Sequence, residues 1–367
     1  MDLVNFLWTN GVSFVVIISV IVFVHELGHY VVARWNGVRV EVFSIGFGPE
    51  LRGWTDRAGT RWKLSLLPLG GYVKMFGEQQ EAGATTTDSF AMKRVGQRSA
   101  IAGAGPLANF LFAIVVLAAL FATAGQRVTP PEVTSVKPDS AAEAAGFTAG
   151  DVVVRIDGAP VERFEDIQDV VRSSPGELLQ VVVLRDGAEV ALDVTPRLVE
   201  QEDRFGVVHR IGELGIARSG AVVFRRLDPA SAAWQAVAET WSISWATLDA
   251  VGQMIAGTRG TEELGGPVRI AQMSGQVAED GFVTMVWFMA MLSINLGLIN
   301  LFPIPMLDGG HLAFYSIEAL RGRPLGVRAQ EFGLRIGLAL VVGLMVLATW
   351  NDLIQVGVVE FVANLWS

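Results

Sequence analysis

The chain has 367 residues, room for two or three domains, and 51% of them are hydrophobic. A mean hydropathy of +0.44 is too high for a soluble protein, and a net charge of -9 argues against nucleic acid as the main partner. There is no cysteine, so a disulfide framework and a thiol nucleophile are both excluded, and strong metal binding has to come from histidine and carboxylate.

Met1 to Asn10 carries no basic residue and no small-residue cleavage pattern, which predicts that no signal peptide is removed. Within segment 1–35, about Leu7 to Ala33 is long and apolar enough to cross a bilayer, with Trp8 and Trp35 as interface anchors. This span carries His25-Glu26-Leu27-Gly28-His29. On a helix, His25 and His29 sit one turn apart on one face, the spacing at which two imidazoles hold one zinc ion while Glu26 reaches the water that zinc activates. The alternatives are a chance pattern or polar residues lining a transporter, but charged groups at membrane depth are costly and normally mark function.

Segment 36–98 is rich in basic residues, from Arg39 to Arg94, and together with Arg34 this places it in the cytoplasm. Val38 to Phe43 and Trp62 to Leu67 read as strands joined through the turn-like Asp56 to Gly59, and Gly70-Gly71 begins a further extended piece, Tyr72 to Phe76. A free strand edge made by Gly71, Tyr72, Val73, Lys74 and Met75 would hold a substrate peptide extended; the plainer reading is a hairpin that plugs the cytoplasmic side. A second span follows in 99–124, through Ala100 to Pro106 and the apolar run after Asn109.

Segment 126–198 contains short alternating strands (Val152 to Ile156, Leu179 to Leu184), turns at Asp157-Gly158 and Asp186-Gly187, and a helix around Phe164 to Arg172. The run Val136 to Gly146, followed by Ala149-Gly150-Asp151, resembles a PDZ domain of the circularly permuted bacterial kind. Such a domain would take a peptide or a C-terminus by strand addition, or would simply block bulky substrates. In 199–280, Trp234, Val237, Trp241, Trp245, Leu248, Val251 and Ile255 recur at helical spacing, which predicts an amphipathic helix over 230–256 lying on the outer membrane surface, with a core-facing helix as the alternative.

A third span is expected within 281–310 and a fourth within 332–352; the connection 311–331, with Arg321, Arg323 and Arg328, goes to the cytoplasmic side. Both termini are then external, and 353–367 is expected to lie at the interface. Catalytic zinc usually needs a third protein ligand. Asn300 to His311 offers two: Pro303 and Pro305 stop the third span and hold Asp308 at the break, while His311 stands one turn further on if a helix restarts there. His209 reads as a surface residue.

His25 to His29 in the first span together with Asn300 to Gly310 in the third resembles the site-2 protease family, in particular the bacterial regulator-of-sigma-E protease type. The resemblance extends to Gly46 to Pro49, Gly70 to Met75, Ala104 to Asn109, Gly265 to Val268 and Trp350 to Asp352. It implies a multi-pass α-helical inner-membrane protein with four transmembrane helices, a cytoplasmic-side membrane-associated β-region and one periplasmic α+β PDZ domain. It implies a zinc metalloprotease in which His25, His29 and Asp308 bind the metal, Glu26 is the catalytic base, and Asn300, Pro303 and Pro305 handle the substrate. The implied substrate is a membrane-spanning protein within the lipid bilayer, such as an anti-sigma factor already trimmed outside, or a leftover signal peptide. Some members carry two PDZ domains in tandem; this chain has room for one.

Overall fold

The computed structural model describes residues 3–78, 86–202, 208–218, 223–258, 260 and 265–355. Of the expected C-terminal interfacial segment, everything beyond Gln355 lies outside the described residues. Two compact units divide the chain: Leu120–Ala230 with Ile255–Arg259 forms one, and the remaining residues form the other.

The larger unit starts with α1 (Leu3–Trp35), β1 (Val40–Thr55), β2 (Arg61–Met75) and α2 (Val95–Thr123). β1 and β2 are longer than the expected strands and pair antiparallel more than once. Val42 to Ile45 has partners in both Arg61 to Leu64 and Gly71 to Lys74, while Glu50 to Thr55 pairs back onto Arg61 to Ser65. The sheet therefore runs 71–75, 40–45, 61–67, 50–55, with 71–75 at an edge. Gly46 and Gly70, at φ of 88° and 107°, make the bends that fold two long strands into four segments. Phe43 is fully enclosed beneath this sheet, stacked on Trp62 at 4.3 Å and packed near Ala33 and Ile101.

The smaller unit contains β3 (Gln126–Val128), β4 (Val133–Val136), α3 (Ala141–Ala144), β5 (Val152–Ile156), β6 (Ala159–Pro160), α4 (Phe164–Ser173), β7 (Leu179–Arg185), β8 (Ala188–Val194), β9 (Arg197–Glu202), β10 (Val208–Glu213), β11 (Ile216–Arg218) and β12 (Val223–Arg225). Four of these strands form a sheet in the order β6-β5-β7-β8. Ser140 caps α3 by accepting from Glu143 N at 3.2 Å, which satisfies one otherwise orphaned helix-end donor, while the Glu143 carboxylate accepts from Asp139 N just ahead of the cap. The amphipathic α4 buries Phe164, Ile167 and Val171 against Val153, Val181 and Val183. β11 pairs with β4, so this unit runs past the expected boundary at residue 198. The closing strand is only three residues long and pairs with a strand about 80 residues earlier, too short and too distant to register as local periodicity.

The chain returns to the larger unit through α5 (Pro229–Ile255), α6 (Pro267–Glu279), α7 (Phe282–Leu301), α8 (Asp308–Arg321) and α9 (Val327–Gln355). α5 buries a face of small residues, Ala232, Ala236 and Thr240, and leaves Trp234, Trp241 and Trp245 between 63% and 74% exposed. Among the described residues, four helices are long and apolar enough to cross a membrane: Asn10–Trp35, Val95–Thr123, Phe282–Leu301 and Arg328–Ile354. α7 ends where the third span was expected to stop, and 302–307 separates it from α8, with Pro303 and Pro305 removing helix donors and Met306 at a φ of 94°. The break is tightly packed. A Cβ on Gly310 would stand 2.4 Å from Ile304 O, and one on Gly337 of α9 would stand 1.7 Å from Pro305 O, so only glycine admits this approach.

Candidate active site

One helical turn on α1 places His25 and His29 side by side, and the first residue of α8 meets them. His25 Nε2 and His29 Nε2 are 3.3 Å apart, and Asp308 Oδ2 lies 3.1 Å from the first and 3.4 Å from the second. Among the described residues these three form the one cluster of histidine and carboxylate groups suited to a metal ion. His29 Nδ1 is 2.8 Å from the backbone oxygen of Ile101, which can only accept, so that nitrogen carries the proton and a neutral ring presents a bare lone pair at Nε2. Asp308 Oδ2 is buried without a hydrogen-bond donor. Converging lone pairs repel unless a cation sits among them. The three edges match the spacing of about 3.3 Å between ligands of a tetrahedral ion held at 2.0–2.1 Å, so these residues fit zinc.

Helix α2 backs the two imidazoles. A Cβ on Gly28 would lie 2.3 Å from Ala104 O, and one on Gly105 would lie 2.3 Å from His29 Nε2 and 2.9 Å from His25 Cε1. Small residues thus let α1 and α2 touch, as in other close membrane-type crossings. Ile101, Gly105 and Asn109 are spaced by four along α2 and form one stripe facing the two histidines. Helix α8 is tied to α2 by a mostly enclosed ion pair: Arg98 Nη2 donates to Glu318 Oε1 at 2.6 Å, with the guanidinium 4.9 Å above the Tyr315 ring.

A cavity of about 270 Å³ opens over the cluster. His25, Glu26, His29 and Asp308 line it, together with Asn300 from the end of α7 and His311 and Tyr315 from α8. Burial lowers the His311 imidazole against a smaller opposing effect of Asp308, and burial pushes the Tyr315 hydroxyl up to about 12. Gly71, Tyr72, Val73 and Met75 of the edge segment also line the cavity, and a Cβ on Gly71 would come 3.2 Å from Glu26 Cγ. Lys74 is not among the lining residues; its Nζ pairs with Glu41 at 2.9 Å. Pro303 and Pro305 do not line the cavity either, and Pro305 packs on α9. Sequence reasoning missed Ile101, Gly105 and Asn109 of α2, and Glu78 and Tyr315, which line the cavity. An asparagine and a glycine set four apart in an otherwise apolar span were the available signal for two of them.

The profile of Peptidase family M50 matches residues 13–344. A protein of Agrobacterium fabrum named as a zinc metalloprotease is 44% identical over 366 residues, covering 95% of this chain and 97% of that one. One of Rhizobium meliloti with the same kind of name is 44% identical over 358 residues, covering 93% and 95%. The metalloprotease MmpA of Caulobacter vibrioides is 36% identical over 390 residues, covering 97% and 98%. Among solved structures, a PDZ domain from Listeria monocytogenes covers 24% of this chain and 84% of its own, at 23% identity and a TM-score of 0.19, too slight a likeness to assign a fold.

Proposed function

From the premise that this chain belongs to peptidase family M50, the site-2 protease family, and is a zinc metalloprotease, we infer that it hydrolyses a peptide bond within or near the transmembrane helix of a membrane protein. The observation that carries this reading is the position of the metal cluster: two of its three members stand on a helix apolar enough to cross a membrane, and the third opens the helix after a broken span.

In this reading His25, His29 and Asp308 hold the zinc ion. When bound, zinc acidifies a water molecule and polarises the scissile carbonyl. Glu26, in the same cavity, takes the water's proton and returns it to the departing amide nitrogen. The substrate's backbone must first leave its helix, because its amides are already bonded internally. The edge segment Gly71 to Met75 supplies replacement partners, so the substrate lies extended beside Glu26. Asn300, on the cavity wall, anchors the extended chain, and Pro303 and Pro305 act indirectly by fixing the break that presents Asp308.

The smaller unit reads as a PDZ-like domain. A groove of about 440 Å³ between α4 and Gly212 to Ile216, next to the short strand β11, is the place for a peptide or a C-terminus. The basic residues between Arg34 and Arg98 support a metal site toward the cytoplasmic face of an inner membrane, and the stretch between the second and third spans then reads as periplasmic. The exposed tryptophans of α5 suit the lipid interface. Substrates of the matching chemistry are single-span proteins already trimmed outside, such as an anti-sigma factor, or signal-peptide remnants.

The test is a cleavage assay in liposomes on a single-span model substrate, with the cut mapped by mass spectrometry. Wild type should cut inside the span or within a few residues of it, and Glu26→Gln should bind zinc without cutting. A cut confined to soluble parts of the substrate, or cutting by Glu26→Gln, contradicts the reading.

A further inference from the structure

Asn109 is wholly buried in α2, yet its side chain meets one polar group. Its amide lies 3.2 Å from His25 Nδ1, with the nitrogen end nearer, and its Oδ1 has no hydrogen-bond partner. The backbone holds this side chain in place: Asn109 O accepts from Ser293 Oγ at 3.0 Å, and a Cβ on Gly297 would come 3.3 Å from Asn109 Cβ. Clamped between α1 and α7, the amide has little room other than against the histidine.

The proton on His25 decides which end of the amide faces it. His25 points Nε2 at Asp308 and at His29 Nε2, so Nε2 is the ligand atom and must be a lone pair. A neutral ring then carries its proton on Nδ1, and a protonated Nδ1 donates. An amide N–H in that place would meet a second donor, whereas the amide oxygen is the acceptor required. Oxygen and nitrogen of a side-chain amide are told apart by their partners, so the amide is turned over and the orphaned oxygen finds its donor.

We propose that Asn109 is a positioning residue for the metal site: its side-chain oxygen accepts the Nδ1 proton of His25 and fixes the tautomer and plane of that ring. The proposal rests on the reading of His25 as a zinc ligand. The two histidines are then held alike by α2, His29 through the backbone oxygen of Ile101 and His25 through the side chain four residues beyond Gly105. Such outer partners typically affect metal affinity 10- to 100-fold.

The experiment is competitive chelator titration of zinc in the full-length protein in detergent. Asn109→Leu, of similar size but with no acceptor, should weaken zinc binding 10- to 100-fold, and Asn109→Asp, which keeps the acceptor, should bind within a few-fold of wild type. Gly103→Ala, on the same helix with nothing nearer than Leu312 Cδ1 at 4.0 Å, should leave affinity unchanged. Equal loss in the Leu and Asp variants, or none in the Leu variant, overturns the proposal. Zinc bound at full affinity by His25→Ala would instead sink the ligand assignment beneath it. Nitrogen-15 NMR of histidine-labelled wild-type protein, which has four histidines, reads the tautomer without any variant. A protonated Nδ1 on His25 with zinc bound to Nε2 is expected; an unprotonated Nδ1 there overturns the proposal.

Discussion

His29 Nδ1 donates to the carbonyl oxygen of Ile101 at 2.8 Å, a bond between residues 72 positions apart that turns the ring's other nitrogen toward Asp308. The acceptor is backbone, so no side-chain deletion removes it. What does remain adjustable is the distance between α1 and α2 at this level, which is set by glycine.

Gly105→Ala is expected to weaken zinc binding by at least tenfold. The new methyl would stand 2.3 Å from His29 Nε2 and 2.7 Å from His29 Cε1, well inside contact distance, so the rings or α2 must shift and the ligand geometry is disturbed. Gly103→Ala is the matched control, because its nearest neighbour, Leu312 Cδ1, is 4.0 Å away. Chelator titration of both variants checks this; equal affinities would show that α2 does not press on the rings.

Substitution of proline, one position at a time, at Tyr72, Val73 and Lys74 tests the edge segment. Proline lacks the N–H, so where that group points away from Val40 to Ile45 the sheet stays paired and only a substrate loses a donor. At such a position cleavage should fall at least tenfold with zinc content unchanged. Full activity at every position of a folded protein would leave the segment as a plug.

In the smaller unit, Asp151 accepts from Arg185 Nε and Nη2 at 2.7 and 2.8 Å and from Thr148 N at 2.8 Å. Burial alone would raise this carboxyl, but Arg185 and Thr148 outweigh it and hold it below the usual range. A carboxylate lowered on folding contributes stability that is complete above its unfolded value, about 3.9, and is lost as the pH falls through the lower folded value. Protection of β5 and β7 against hydrogen exchange, corrected for intrinsic rates, should drop below about pH 4. Asp151→Asn should lose about 2 kcal/mol at neutral pH and show little further drop on acidification. An unchanged acid dependence in the variant would assign the drop to other groups.

Local signals in the sequence carried much of the architecture and two of the site's motifs. The one-turn spacing of His25 and His29 and the prolines ahead of Asp308 are short-range patterns, readable without a partner. Tertiary contacts were not readable in this way. Asn109 is defined by its neighbours on α1 and α7, and nothing near it in the chain indicates which side chain it faces. The extent of β1 was missed because Gly46 and Gly48 look like a loop, whereas here they bend a continuing strand. Period-two alternation sets Lys74 apart from Val73 and Met75, yet Tyr72 also lines the cavity, which alternation alone does not indicate.

The choice between Asp308 and His311 as the third metal ligand is the central claim, since it joins the first span to the broken third. Both line the cavity, but only Asp308 Oδ2 stands within 3.4 Å of both imidazole nitrogens. The most direct measurement is the zinc content of purified full-length protein after dialysis against a weak chelator, in Asp308→Ala and His311→Ala side by side. Loss of zinc from Asp308→Ala with near-stoichiometric zinc in His311→Ala is the predicted result. Zinc retained by Asp308→Ala and lost from His311→Ala would contradict it.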